Sequence, residues 1–260
     1  MVDVLLIAIV SAAASALTLY SGFGLGTILL PAFALFFPAP LAVAATGIVH
    51  LLNNLFKVAL VGRRADWRIV LRFGLPAVPA AIAGALLLTW LGETPRLFEW
   101  TAGGRVFGPT GAGVTIGTLM ILFAFLELQP WFQRLAAPPR LLPAGGLLTG
   151  FVGGLTGQQG ALRSMFLLRC RLTPDRFIAT GVLIAVLVDL SRLPAYAAGF
   201  GSAAFGAGEW RLIALATACA FAGAWLGARY MKKVTIGIVR GIVAGLMFAI
   251  GAALLAGVIG

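Results

Sequence analysis

Gly22-Phe23-Gly24-Leu25-Gly26, which opens the apolar segment 23–37, is the stretch of sequence that decides the fold. Its three glycines interrupt a run that is otherwise apolar on both sides. A helix that crosses a bilayer needs about 20 apolar residues, so segment 23–37 is too short to span comfortably. Unwound backbone at membrane depth is tolerated only beside protein or a water-filled cavity. The stretch therefore predicts a half-helix or re-entrant piece that is hinged at the glycines.

The composition places the whole chain in a membrane. The 260 residues are 61% hydrophobic and 10% charged, with a mean hydropathy of +1.04, whereas soluble domains carry roughly a quarter charged residues. Long apolar stretches recur from end to end without a polar block that would form a second domain. We predict an all-α polytopic membrane protein, a single membrane domain with about 8–10 membrane segments. Hydropathy places the segments at 3–20, 23–37, 41–62, 69–91, 108–128, 141–157, 158–168, 177–199, 210–228 and 235–258.

The two halves of the chain carry the same motifs in the same order. We predict a first repeat at 1–130, a cytoplasmic linker at 131–140 and a second repeat at 141–260. Each repeat has five elements, and an odd number makes the second repeat enter from the opposite side, so the repeats are expected to be inverted. The matched motifs are Gly22–Gly26 with Gly157–Ala161, Ala45–Ile48 with Ala179–Val182, Asp66–Ile69 with Glu209–Leu212, and Gly84 with Gly227.

Basic residues in the loops indicate the orientation. A net charge of +11 would suggest nucleic acid in a soluble protein, but here the positive-inside rule explains the bases without a nucleic-acid partner. If each of the two short segments, 23–37 and 158–168, reverses the chain, both termini lie outside with only Arg96, Arg105 and Arg211. In an eight-span alternative, each short segment and the helix before it cross the membrane together as one span, and loop 169–176 lies outside. The twelve bases expected in the cytoplasm are Arg63, Arg64, Arg68, Arg72, Arg134, Arg140, Arg169, Arg171, Arg176, Arg229, Lys232 and Lys233.

Basic and amide side chains gather near the two glycine breaks. Helix N-termini exposed at such breaks suit an anion, although glycines also serve close helix packing. Arg163 follows the second break and has no acid within four positions; a structural arginine bound to backbone carbonyls is the alternative. Lys57 and Arg240 lie near a cytoplasmic helix end, where they could snorkel. The predicted substrate-binding residues are Arg163, Gln158, Gln159, Gly24, Gly26, Gly157, Gly160, Asn53, Asn54 and Lys57.

Three further residues are candidates for a proton relay or for coupling to a proton or sodium ion. His50 is the only histidine, and a merely hydrogen-bonded histidine is the alternative. Asp189 and Arg192 are three positions apart on one helical face, where a structural ion pair would explain them equally. The chain contains no GxSxG, HExxH, Walker A or metal-ligand spacing. We therefore predict no enzyme activity, no cofactor and no metal site.

The glycine break with Pro31, the Ala-Thr-Gly of the next helix, Asp66-Trp67-Arg68, and the repetition of this order resemble the sulfite exporter TauE/SafE family. The resemblance spans almost the whole chain, but Gln158 and Gln159 stand where the family has glycines. It implies a bacterial inner-membrane permease for sulfite, a sulfonate, thiosulfate or a related organic anion. An anion channel of the same architecture and an accessory membrane protein without transport activity are the alternatives.

Overall fold

The computed structural model describes residues 2–21, 24–201, 204–230 and 236–260. Most of these residues are helical, with two 3-10 turns at Gly62–Arg64 and Pro139–Leu141 and a small hairpin of β1 (Trp100–Ala102) and β2 (Arg105–Phe107). The helices are α1 (Val2–Ser21), α2 (Leu25–Ala34), α3 (Ala39–Val61), α4 (Trp67–Gly92), α5 (Gly111–Leu128), α6 (Pro130–Gln133), α7 (Leu142–Thr156), α8 (Gly160–Leu167), α9 (Pro174–Phe200), α10 (Ala207–Tyr230) and α11 (Ile236–Leu255).

These helices confirm the predicted fold class of an all-α polytopic membrane protein. In the described residues, five helices are long and apolar enough to cross a membrane, namely α3, α4, α5, α9 and α10. Each predicted segment corresponds to one helix, and α6 is an addition. The two short segments are helices of ten and eight residues, α2 and α8. At 1.5 Å per residue they are roughly 15 and 12 Å long, about half of a bilayer core.

Helices of the first half pack on helices of the second half in matching sets. α1 packs on α10 and α7 packs on α4; α3 packs on α10 and α9 packs on α4; α3 meets α9, and α5 meets α11. The contact points also match. A Cβ added at Gly84 would lie 2.2 Å from Phe151 O, and one added at Gly227 would lie 2.8 Å from Ala16 O. In the predicted alignment of the repeats, Phe151 is equivalent to Ala16, so the two glycines contact equivalent helices at equivalent positions.

Glycines on one face of α7 explain its close approach to α4. A Cβ added at Gly146, Gly150 or Gly154 would come within 2.1, 2.3 and 2.1 Å of α4 carbonyl oxygens. The spacing of four places all three on one side of the helix. Small residues let two backbones approach in a membrane, where apolar burial alone gives helices no reason to associate.

The connections collect at two ends of the bundle. At one end Arg64 pairs with Asp175, Arg176 Nη2 donates to Asp66 Oδ2 at 2.9 Å, and Asp66 N donates to Thr180 Oγ1 at 2.9 Å. Loop 62–66 and the start of α9 therefore share one end, as the ten-element path predicts and the eight-span alternative does not. At the other end lies the hairpin, in which Trp100 Nε1 donates to Ala256 O at 2.8 Å. No sequence pattern predicted this hairpin.

Candidate functional site

The two glycine breaks meet inside the bundle. Gly24 precedes α2 with a φ of 115°, and Gly157 ends α7 with a φ of 77°, values that only glycine adopts readily. A Cβ added at Gly26 would lie 2.9 Å from Gly157 O. The N-cap residues Gly24 and Gln159 place no side-chain acceptor on the first turns of α2 and α8. The first N–H groups of both helices thus lack helical acceptors and are directed toward one junction.

A narrow cavity of about 30 Å³ lies at this junction. The start of α2, residues 24–27, forms one wall, and His50, Asn54 and Lys57 of α3 form another. Arg163 of α8 contributes from the second half. A cavity needs roughly 10–15 Å³ to hold one water. The space therefore takes one or two water-sized groups, and a larger guest requires the walls to move apart.

Asp189 is the centre of a buried polar network beside the cavity. It is fully buried on α9, and its Oδ2 lies 2.6 Å from His50 Nδ1 of α3. The carboxylate can only accept, so Nδ1 supplies the proton of this bond. Arg192 donates to Asp189 Oδ1 through Nε at 2.9 Å, and Gln159 Nε2 donates to the same oxygen at 3.3 Å. One carboxylate thus links helices from both halves.

Arg192 and Arg163 differ in how the structure holds them. Arg192 Nη1 donates to Gly153 O at 3.1 Å, and Tyr196, which it also contacts, donates to Gly154 O. Arg192 is thereby fixed to the end of α7, as a structural residue would be. Arg163 Nη1 donates to Gln159 Oε1 at 3.4 Å, near the limit for a hydrogen bond. Arg163 is thereby connected to Gln159, which also donates to Asp189.

Positive charge is in excess around the junction. Lys57 and Arg163 are each 4% exposed, and Arg192 and Asp189 are 0% exposed. Among the described residues around the junction, three cations thus accompany one carboxylate, an excess of two formal positive charges when all four are ionised. Charge buried at membrane depth is costly unless it is neutralised. The arrangement favours the entry of an anion.

The model of the sulfite exporter TauE/SafE family matches residues 7–254. The chain belongs to this family. The match covers both halves and both glycine breaks, and it confirms the resemblance drawn from the motifs. TauE/SafE proteins form a family of membrane sulfite exporters, so the chain is a multi-pass membrane protein of a transporter family. No curated protein and no solved structure gave a match.

The structure brings most of the predicted site residues of this TauE/SafE protein to the cavity. Lys57 lines it and is only 4% exposed. The Arg240 side chain lies outside the described residues. The Asp189–Arg192 ion pair is present, and Gln159 connects Arg163 to the same acid. The predicted residues that line the cavity are Gly24, Gly26, His50, Asn54, Lys57, Gly157, Gly160 and Arg163.

Three predicted substrate-binding residues are buried outside the cavity lining. Gln159 belongs to the Asp189 network instead, and Asn53 accepts a hydrogen bond from Ser15 Oγ at 2.9 Å. Gln158 is 4% exposed, and neither of its amide atoms has a hydrogen-bond partner in the described part of the chain. Adjacent glutamines of the break in this TauE/SafE protein therefore have different surroundings.

Some polar residues at the TauE/SafE site were not among the predicted site residues. Thr27 and Ser164 line the cavity, and Tyr196 holds Arg192. Thr27 follows the glycine triplet directly, a signal that could have identified it. Tyr196 lies four residues after Arg192 on the same helical face, but an aromatic residue at that spacing is ordinary in a membrane helix.

Proposed function

We propose that this protein is a secondary permease that carries a small anion across the bacterial inner membrane by alternating access. Sulfite, a sulfonate, thiosulfate and a related carboxylate are the substrate candidates. One observation carries the proposal: two broken helices begin at a common junction where, among the described residues, three buried cations accompany one carboxylate. Helix N-termini and buried cations both attract negative charge.

Anion binding at the junction uses three kinds of group. Arg163 presents a planar guanidinium that suits oxygen pairs, and Lys57 supplies a compact charge. The first N–H groups of α2 and α8 donate from the backbone, as they do in other anion sites at helix N-termini. The small cavity volume, about 30 Å³, favours a substrate with few heavy atoms. Organic sulfonates need a wider opening than inorganic oxyanions.

Gln158 supports the view that a guest or water enters this region. A buried amide without a partner costs roughly 1–3 kcal/mol, and Gln158 has neither donor nor acceptor satisfied in the described residues. Buried polar groups of this kind are commonly satisfied by a water or a ligand. We assign it to the substrate path.

Alternating access follows if the halves are inverted repeats that rock around the junction. The matched packing of α1 on α10 and α7 on α4 supports a two-fold relation between the halves. The close approach of Gly26 to Gly157 O joins the halves through backbone alone. The hydrogen bond between His50 and Asp189 crosses from one half to the other. Protonation of that pair would therefore change a hydrogen bond between the halves and couple proton binding to their relative movement.

Counterflow in proteoliposomes tests the function. Vesicles loaded with unlabelled sulfite, thiosulfate, a short sulfonate or a carboxylate are diluted into the same anion carrying label. A permease shows label accumulation driven by the internal pool. Sustained electrogenic flux without counterflow would indicate a channel instead, and no flux of any anion in folded protein would indicate an accessory role.

Arg163→Gln tests the site itself. Removing a charge-assisted hydrogen bond should weaken anion binding by roughly 1.5–3 kcal/mol, while the protein still folds and inserts. Arg140→Gln is the matched control, since Arg140 is exposed at a bundle end. If Arg163 is structural, its variant loses thermal stability and the surviving protein keeps its affinity. Unchanged affinity in well-folded Arg163→Gln protein would end the assignment of Arg163 to the substrate.

A further inference from the structure

A second cavity, separate from the junction, opens at the bundle end that contains loop 62–66. It has a volume of about 780 Å³ and lies between the start of α4, the connection from α6 to α7, and the loop from α8 to α9. Four arginines line it: Arg68, Arg72, Arg169 and Arg171. We call the cavity that these four residues line the arginine cavity. Nothing in the transport proposal uses them.

The walls of the arginine cavity are held in place. Asp66, the only acid in its lining, caps α4 through Ile69 N at 3.2 Å and pairs with Arg176. Its charge is thus already matched by an arginine that does not line the cavity. Ala137 N donates to Met165 O at 3.0 Å, which ties the α6–α7 connection to α8.

In the described part of the chain, the four guanidinium groups have no acidic partners of their own. Arg68 and Arg72 are four positions apart and share one face of α4. Arg171 has a φ of 53°, the one positive value at a non-glycine residue in the described chain. This conformation is unfavourable for arginine and recurs at binding sites. Within the described residues, none of the four forms an ion pair with an acid.

Apolar side chains that face outward border the arginine cavity. Trp67 is 61% exposed, Leu71 50% and Leu168 52%, and each is adjacent in sequence to an arginine of the cavity. Tryptophan at such a position is typical of the membrane interface. The cavity therefore adjoins the surface that lipid acyl chains cover, and a molecule with an anionic head and apolar tails matches both parts.

We propose that the arginine cavity binds the phosphate-bearing headgroup of an anionic phospholipid, with the acyl chains against Trp67 and Leu168. Guanidinium groups bind phosphate oxygens in pairs, and basic pockets between membrane helices are suited to such headgroups. A soluble phosphate compound has the same charge but no group for the apolar border. An anionic lipid is therefore the occupant that fits both the cavity and its apolar border.

Cys170 provides a reporter inside the cavity. It lines the cavity and is partly exposed, and burial raises the pKa of its thiol, so alkylation at neutral pH is slow enough to follow. The Cys219→Ala variant leaves Cys170 as the single cysteine. The protein is placed in bilayers of a zwitterionic phospholipid, with or without a diphosphate anionic phospholipid, and N-ethylmaleimide labelling is timed.

The anionic lipid is expected to slow labelling of Cys170 several-fold. Arg68→Gln with Arg72→Gln should abolish this protection, whereas Arg63→Gln with Arg134→Gln removes equal charge outside the cavity and should preserve it. Arg169→Gln serves if the first pair does not fold. Leu135→Cys in a chain without native cysteines reports any general effect of the lipid on thiol reactivity.

Three results would overturn the proposal. The first is no change in Cys170 labelling with the anionic lipid. The second is equal slowing at Leu135→Cys and in every arginine variant, which reports surface charge alone. The third is equal protection by soluble inorganic diphosphate in purely zwitterionic bilayers, which assigns the cavity to a soluble anion. All three are independent of whether the protein transports anions.

Discussion

Replacing Asp189 by asparagine is the most informative single perturbation of the buried network. The side chain keeps its size but loses its charge. In the wild type, Asp189 accepts hydrogen bonds from His50, Gln159 and Arg192, and in the described part of the chain it is the one carboxylate among the buried cations of the junction. Asp189→Asn therefore leaves Arg192 buried without its counter-charge.

The magnitude follows from these contacts. Hydrogen bonds inside membranes contribute about 0.6 kcal/mol each on average, so three donors account for roughly 2 kcal/mol. Breaking a buried ion pair by removing one partner costs about 3–5 kcal/mol, because the remaining charge is uncompensated. Arg192 and Asp189 are both 0% exposed and their charged atoms lie 2.8 Å apart. We expect a loss of about 3–5 kcal/mol in the free energy of unfolding.

Reversible unfolding in mixed micelles, titrated with a denaturing detergent, measures this loss. Asp175→Asn is the matched control, since its ion pair with Arg64 is exposed and such pairs contribute about 1 kcal/mol or less. Asp189→Asn combined with Arg192→Gln removes both charges and should be less destabilised than the sum of the two single variants.

The same variant separates structural from binding roles. Asp189→Asn increases the excess of positive charge at the junction, so folded protein should bind the anion at least as tightly as the wild type. A loss of less than about 1 kcal/mol, or strict additivity with Arg192→Gln, would refute the view that Asp189 holds the network together.

Three further predictions concern the junction and the topology. Gly26→Ala places a Cβ 2.9 Å from Gly157 O and should lower both thermal stability and counterflow, whereas Gly245→Ala, which meets no atom within 4 Å, should change neither. His50→Gln should retain counterflow but lose accumulation driven by a pH gradient; accumulation equal to that of the wild type would exclude the relay. Asp175→Cys should react with an impermeant maleimide only after cells are opened, and labelling of intact cells would refute the predicted orientation.

The helices could be read from the sequence because they depend on local properties. Hydropathy located each membrane segment, and the glycines of Gly22–Gly26 and Gly157–Gly160 located the breaks. The ion pair of Asp189 with Arg192 followed from a spacing of three residues. Each of these inferences needs only neighbours within a few turns.

Contacts between the halves could not be read in this way. His50 and Asp189 are 139 residues apart, and their meeting depends on how α3 and α9 are rotated against each other. The environments of Gln158 and Gln159 were equally inaccessible, because adjacent residues at a helix start point in different directions. The hairpin of β1 and β2 was missed since three-residue strands carry too little periodicity to predict.

The packing of α1 on α10 has a consequence for synthesis. Residue 207, where α10 begins, follows residue 21, the end of α1, by 186 positions. At about 5–20 residues per second, the ribosome needs roughly 10–40 s to make that interval. During this time α1 lies in the membrane without α10, the helix that covers the face of α1 in contact with Gly227. Nascent chains arrested before α10 should therefore expose α1 to proteases or to membrane insertion factors, and release of the completed chain should end that exposure.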